Sequence, residues 1–133
     1  MGTSLLAKPS VILVVEDELI LRMIAVDLFE EAGYETAEAN NADDAIELLQ
    51  RRMDVRVVLT DVQMPGSMDG IKMAALVRNK WPWIELIMTS GRYVRDIDIP
   101  ERSVFLPKPY DSETLLRVTR HLTCVGVREL ENI

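Results

Sequence analysis

Three largely apolar segments constrain this chain more than any other feature: the uninterrupted run Val11–Val15, and residues 55–60 and 84–89, each of these two carrying one charged residue, Arg56 and Glu85. Runs of this kind are how strands buried on both faces read, and each gives out onto polar residues. Between them the periodicity turns helical. From 18 to 32, Leu21, Ile24, Ala25, Leu28 and Phe29 fall on one helical face, and Gly33 supplies the C-terminal stop. Residues 34–37 read as a short strand. Asn40 and Asn41 followed by Asp44 read as the cap of a helix through Ala45, Ile46, Leu48 and Leu49 to about Arg52. Met64-Pro65-Gly66-Ser67-Met68 is turn material, and Asp69 caps a helix through Met73, Leu76 and Val77 that ends before Trp81-Pro82. Residues 103–106 make a last strand, and 111 to about 122 a last helix.

A strand followed by a helical segment five times over leaves few architectures. Parallel strands joined through helices need right-handed crossovers, and the helices then cover both faces of the sheet. The expectation is an α/β fold, a doubly wound sandwich around a five-stranded parallel sheet. A chain of 133 residues has room for one such domain, and no repeat, low-complexity tract or linker divides it. In such sheets ligands gather beyond the carboxyl ends of the strands, where strand order reverses.

Composition removes several function classes. Apolar residues at 48% and charged residues at 28% exclude wholesale disorder. A net charge of −7 repels phosphate backbones and argues against nucleic-acid binding. The aliphatic run Val11–Val15 is too short to cross a bilayer, and Glu16, Asp17 and Glu18 follow it at once, so it is no secretory core. The single cysteine, Cys124, allows no intrachain disulfide and no multi-cysteine metal site. A cytoplasmic protein without membrane insertion is expected.

The strand ends carry the chemistry. Glu16, Asp17 and Glu18 follow the first strand, Asp61 the third, Thr89 and Ser90 the fourth, and Lys108, between Pro107 and Pro109, the fifth. Carboxylates within about 5 Å of one another repel by roughly 3 kcal/mol per pair at an effective dielectric near 20. Such a cluster holds a proton, a cation, or both. Oxygen ligands without His or Cys point to Mg²⁺ or Mn²⁺. A lysine opposite the acids suits a phosphoryl group or its carboxylate acceptor, and a small hydroxyl can donate to a phosphate oxygen. These parts suit phosphoryl transfer, with Asp61 as the nucleophile that forms an acyl phosphate.

The series Glu16-Asp17-Glu18, Asp61-Val62-Gln63-Met64-Pro65, Thr89-Ser90-Gly91 and Lys108-Pro109-Tyr110 resembles the receiver domain of two-component response regulators, over 10–122. The resemblance implies a flavodoxin-like (βα)5 sandwich, with 1–9 as an N-terminal extension and 123–133 as a C-terminal tail. It implies that Asp61 is the phosphoacceptor and that Lys108 contacts the phosphoryl group. Asp17 and Asp61 would bind Mg²⁺ (or Mn²⁺) directly, with the Gln63 backbone carbonyl as third ligand and Glu16 acting through water. Ser90 takes the place of the switch hydroxyl; Thr89 is the alternative in register, and the small residue after Ser90 favours Ser90. Phe105 takes the place of the aromatic switch residue. The implied phosphodonor is a histidine kinase or a histidine phosphotransfer protein. Ile20 and Met23, off the inner stripe of the first helix, would dock it together with Pro109 and Tyr110. Only eleven residues follow Leu122. The expectation is therefore a stand-alone, chemotaxis-type regulator, monomeric or weakly dimeric, that works through a downstream protein or as a phosphate shuttle or sink. It would be no enzyme beyond its own phosphorylation and dephosphorylation.

Blander roles stand beside these. Glu16 and Asp17 could cap the first helix, Asp61 could be a turn residue, Phe105 could be core, and Asp69-Gly70 reads as a cap and turn. Three features depart from the family pattern. Glu16 stands where Asp is commoner, and the loop from Met64 to Gly70 is one residue longer than usual. The span between Gly91 and Ser103 is short and contains Pro100, so the family's fourth helix must be short or remodelled. The competing functions are a phosphate-independent degenerate receiver acting as a protein-binding module and a small aspartate-nucleophile phosphatase. The second is disfavoured by Gln63 where those enzymes carry an acid. A flavin-binding protein is disfavoured by the acids after the first strand.

Overall fold

The computed structural model describes residues 10–66, 68–92 and 99–131, with 125–131 described by backbone alone. The expected N-terminal extension, 1–9, and most of the expected remodelled-helix segment, 93–98, lie outside the described residues. In chain order the elements are β1 (Val11–Val15), α1 (Leu19–Glu31), β2 (Glu35–Ala39), α2 (Ala42–Arg51), β3 (Val55–Asp61), α3 (Gly70–Lys80), β4 (Glu85–Ser90), β5 (Ser103–Pro107) and α4 (Ser112–Glu131). The five strands form one sheet in the order β2-β1-β3-β4-β5, parallel throughout. The chain leaves β1 toward β2 and returns on the other side to β3. Strand order therefore reverses between the ends of β1 and β3, where Glu16 and Asp61 sit.

Strand side chains alternate between two apolar layers, as a period of two requires. Leu13, Val15, Val58, Leu86 and Met88 face α2 and α3, where Ala45, Leu49, Met73, Ala74 and Val77 meet them. Ile12, Val14, Val57, Leu59 and Ile87 face α1 and α4, against Ala25, Val26, Phe29 and Leu115. Helix starts follow the expected chemistry. The Asn41 side chain accepts from the Asp44 N–H at 2.8 Å, Asp69 from Lys72 at 2.9 Å and Asp111 from Thr114 at 2.6 Å. Gly33, at φ +98°, ends α1 as expected, and the Tyr34 N–H returns to the Phe29 carbonyl at 3.0 Å.

Two expectations need correction. The last helix, expected to end at about Leu122, continues to Glu131. The inner stripe of α1 is not the expected one, because Leu21 and Ile24 are 40% and 59% exposed. The stripe that faces the sheet is Arg22, Ala25, Val26 and Phe29, at i, i+3, i+4 and i+7. A tertiary tether sets this rotation. Arg22 donates to the Glu16 carbonyl at 2.8 Å, to the Asn40 side chain at 3.1 Å and to Glu38 at 3.1 Å. With an arginine turned inward, the aliphatic residues on the other side of the helix face water.

Candidate functional site

The site is built from the ends of β1, β3 and β5. Val15 and Thr60 are register partners in neighbouring strands, so the residues that follow them emerge side by side. Glu16 is 9% exposed, held by its N–H on the Ala39 carbonyl at 3.1 Å. Asp61 ends β3, where its Oδ1 accepts from the Gln63 N–H at 3.1 Å. Lys108 reaches both acids from the end of β5. Its Nζ lies 2.8 Å from Asp61 Oδ2 and 3.5 Å from Glu16 Oε1. The Lys108 backbone N–H donates to the Ser90 carbonyl at 2.8 Å, so β4 anchors the lysine. The Lys108–Pro109 peptide is cis.

Burial and charge shape the electrostatics. Burial pushes the Glu16 carboxyl above its ordinary 4.5; the Glu18 N–H and Lys108 pull it back, while the Asp17 carboxyl and the Asp61 charge add to the rise. For Lys108, burial works against the ammonium, yet the hydrogen bond it donates to Asp61 and the charges of Asp61 and Glu16 outweigh it and raise it above 10.5. Tyr110 is pushed above 10.0, chiefly by burial.

A cavity of about 500 Å³ opens onto these groups, between α1 and the start of α4. Its polar end is Glu16, Asp61, Thr89 and Lys108, and its walls are apolar, with Leu21, Ile24, Leu28, Tyr110 and Leu115 among them.

The structure thus brings Glu16, Asp61 and Lys108 together, sets Asp17 beside Glu16 and ties Gln63 to Asp61 through its amide. Pro109 and Tyr110 line the cavity. Of the two candidate hydroxyl residues, Thr89 lines the cavity, whereas Ser90 Oγ accepts from the Arg92 N–H at 3.0 Å. Phe105 is half-buried on the opposite layer, against the core shared with α2 and α3. Ile20 and Met23 are 72% and 52% exposed on α1, and Leu19, Leu21 and Ile24 enlarge the patch. Sequence reasoning missed Arg22, which holds the backbone of the acidic loop. Its signal was present, since an arginine occupies the first place of the stripe 22, 25, 26, 29.

Among the described residues no group of three potential ligands is arranged to hold a metal ion, and Glu16 and Asp61 close on Lys108 instead. The donor chemistry nonetheless fits a hard divalent cation. The acids bring oxygen donors alone, with no histidine or cysteine beside them. Among the described residues no helix is long and apolar enough to cross a membrane.

Comparison with known proteins gives the family and the fold. Residues 12–120 match the response regulator receiver domain, and the chain belongs to that family, a signalling module of two-component systems. It is 31% identical over 109 residues to the response regulator receiver protein CpdR of Brucella abortus (strain 2308), covering 79% of this chain and 89% of CpdR. It is 30% identical over 122 residues to the sensor kinase CckA of the same strain, covering 88% of this chain and 13% of the kinase. The chain spans about a quarter of the length of two further response-regulator relatives. A response regulator receiver protein from Sinorhizobium medicae WSM419 shares the fold, with a TM-score of 0.83 and 24% identity over 89% of this chain and 97% of that one.

Proposed function

We propose that this receiver accepts a phosphoryl group on Asp61 from a partner's phosphohistidine and signals the modification to a downstream protein or passes it on. The observation that carries this is the Lys108 ammonium, 2.8 Å from Asp61 and 3.5 Å from Glu16 at the reversal of strand order. In the transfer an Asp61 carboxylate oxygen bonds to phosphorus as the P–N bond to imidazole breaks. The bonding pair returns to the imidazole nitrogen, and an acyl phosphate remains on Asp61.

Each residue's part follows from its position. The Gln63 N–H holds Asp61 Oδ1 and Lys108 holds Oδ2, at the polar end of the cavity. Once Asp61 is phosphorylated, Lys108 is free to neutralise a phosphoryl oxygen. Mg²⁺ or Mn²⁺, held by Asp17, Asp61 and the Gln63 carbonyl with Glu16 acting through water, would offset charge on the phosphoryl oxygens. Ser90 stands one residue beyond Thr89, the register partner of Asp61. It gives up its Arg92 contact to follow the phosphoryl group, and Phe105 repacks on the far layer. The exposed aliphatic ridge of α1 around Ile20 and Met23, with Pro109 and Tyr110 at the cavity rim, docks the histidine kinase or phosphotransfer protein.

The test is incubation with acetyl phosphate and Mg²⁺ followed by phosphate-affinity electrophoresis. Wild type should shift in mobility and Asp61→Asn should not. A shift that persists in Asp61→Asn would overturn the assignment.

A further inference from the structure

Gly70 is the first residue of α3 and is buried. Glycine is often required by a positive φ, but among the described residues only Gly33 and Gly66 of the glycines have one. At Gly70 the backbone is one any residue adopts, and it is space that excludes a side chain. A Cβ there would overlap the Asp61 carbonyl oxygen and lie 2.9 Å from the Val62 carbonyl oxygen and 3.0 Å from the Asp61 carbonyl carbon. All three are main-chain atoms, so no rotamer change can relieve the contact. The Gly70 N–H donates to the Val62 carbonyl at 2.9 Å, and the Asp69 cap holds the helix start in place. The other side of this segment is fixed too, since the Val62 N–H donates to the Thr89 carbonyl at 2.8 Å. The backbone that carries Asp61 is therefore clamped between β4 and the first turn of α3.

We propose that Gly70 is a positioning residue for Asp61: its missing Cβ lets the start of α3 rest on the acceptor's own backbone and hold the carboxylate in register with Lys108. The proposal rests on the reading of Asp61 as acceptor, yet the positioning is observable without any transfer. A methyl group at Gly70 would push the Asp61–Val62 segment and the helix apart by about 1 Å, a misplacement that costs on the order of 10²-fold in rate at a reacting group. Helix propensity alone would make alanine the better residue here.

The experiment compares wild type, Gly70→Ala and Ala75→Gly, the last an exposed site on the same helix. Two quantities are read on folded, full-length protein. One is the amide ¹⁵N–¹H positions of Val62, Gln63 and Lys108 without metal; the other is the acetyl phosphate reaction rate at saturating Mg²⁺. Gly70→Ala should move those amides and slow the reaction at least tenfold, while Ala75→Gly stays within twofold of wild type. Unmoved amides with a wild-type rate in Gly70→Ala would overturn the proposal, as would equal slowing in Ala75→Gly. Should Gly70→Ala not fold, Asp69→Ala carries the test. Loosening the first turn should raise hydrogen exchange at Val62 and Gln63 at least fivefold, and unchanged exchange overturns the proposal. Moved amides in a chain whose wild type takes up no phosphoryl group would leave the positioning standing and remove the acceptor reading instead.

Discussion

Arg22 Nη1 lies 2.8 Å from the carbonyl oxygen of Glu16, so the first helix grips the loop that carries the acidic residues. The same contact rotates α1 about its axis. The guanidinium is turned to the end of the sheet, and Leu19, Ile20, Met23 and Ile24 are left more than half exposed. One side chain therefore sets both the backbone of the acid loop and the apolar ridge beside the site.

Arg22→Ala should lower the unfolding free energy by about 2 kcal/mol, the range for hydrogen bonds to a charged group. Urea denaturation at neutral pH measures this. The variant should also bind Mg²⁺ more weakly, because the acid loop loses its tether; unchanged affinity in a destabilised variant would separate the two roles.

Lys108→Met leaves Asp61 and Glu16 without their shared ammonium. Phosphorylation by acetyl phosphate should slow at least tenfold, since a preorganised charge at a phosphoryl oxygen is worth about 2–4 kcal/mol in comparable sites. A phosphate-affinity time course reads the effect, and a rate within twofold of wild type would remove Lys108 from the transfer.

Glu16 makes a pH dependence. In the unfolded chain it titrates near its ordinary 4.5, and in the folded chain it holds its proton to higher pH. Across that window the native state binds more protons than the unfolded state, so Glu16 makes stability fall as pH rises. Above the folded value its contribution is constant. Glu16→Gln should therefore gain stability relative to wild type from pH 4.5 upward and then hold a constant difference. Urea midpoints of the metal-free proteins across pH 4–8 test the sign, and a difference that runs the other way would contradict the burial argument.

Ile20→Glu and Met23→Glu change residues that are 72% and 52% exposed, so stability should move by no more than about 0.5 kcal/mol. Transfer from a phosphorylated histidine kinase should slow at least tenfold while the acetyl phosphate reaction stays at its wild-type rate. Equal slowing of both would place these residues in the transfer chemistry rather than in docking.

Much of the architecture was legible before any coordinates. The segments that became β1, β3 and β4 read as buried strands because β-branched and aliphatic residues dominate them, with Arg56 and Glu85 as single charged interruptions in the last two. Asn41, Asp69 and Gly33 announced helix ends because capping is local chemistry. The candidate acids and the lysine were legible for a related reason: in a parallel α/β sheet, the residue after each strand must surface on the same edge. Helix rotation was not legible. Counting apolar residues on α1 put Leu21 and Ile24 inside, since a periodicity rule cannot know that an arginine has three acceptors waiting at the sheet end. The extent of α4 was not legible either, because it runs through Gly126, a residue that helix propensity disfavours.

By itself, then, the sequence determined the order of elements, the parallel sheet and which residues stand at the strand ends, all of which follow from local patterning and the hand of the crossovers. Only the tertiary structure decided which partners those residues find. Lys108 bridges Glu16 and Asp61, Thr89 rather than Ser90 lines the cavity, and Gly70 lies against the Asp61 backbone. Such contacts join residues far apart in the chain, and their distances are set by how the layers close on one another, which no local pattern encodes.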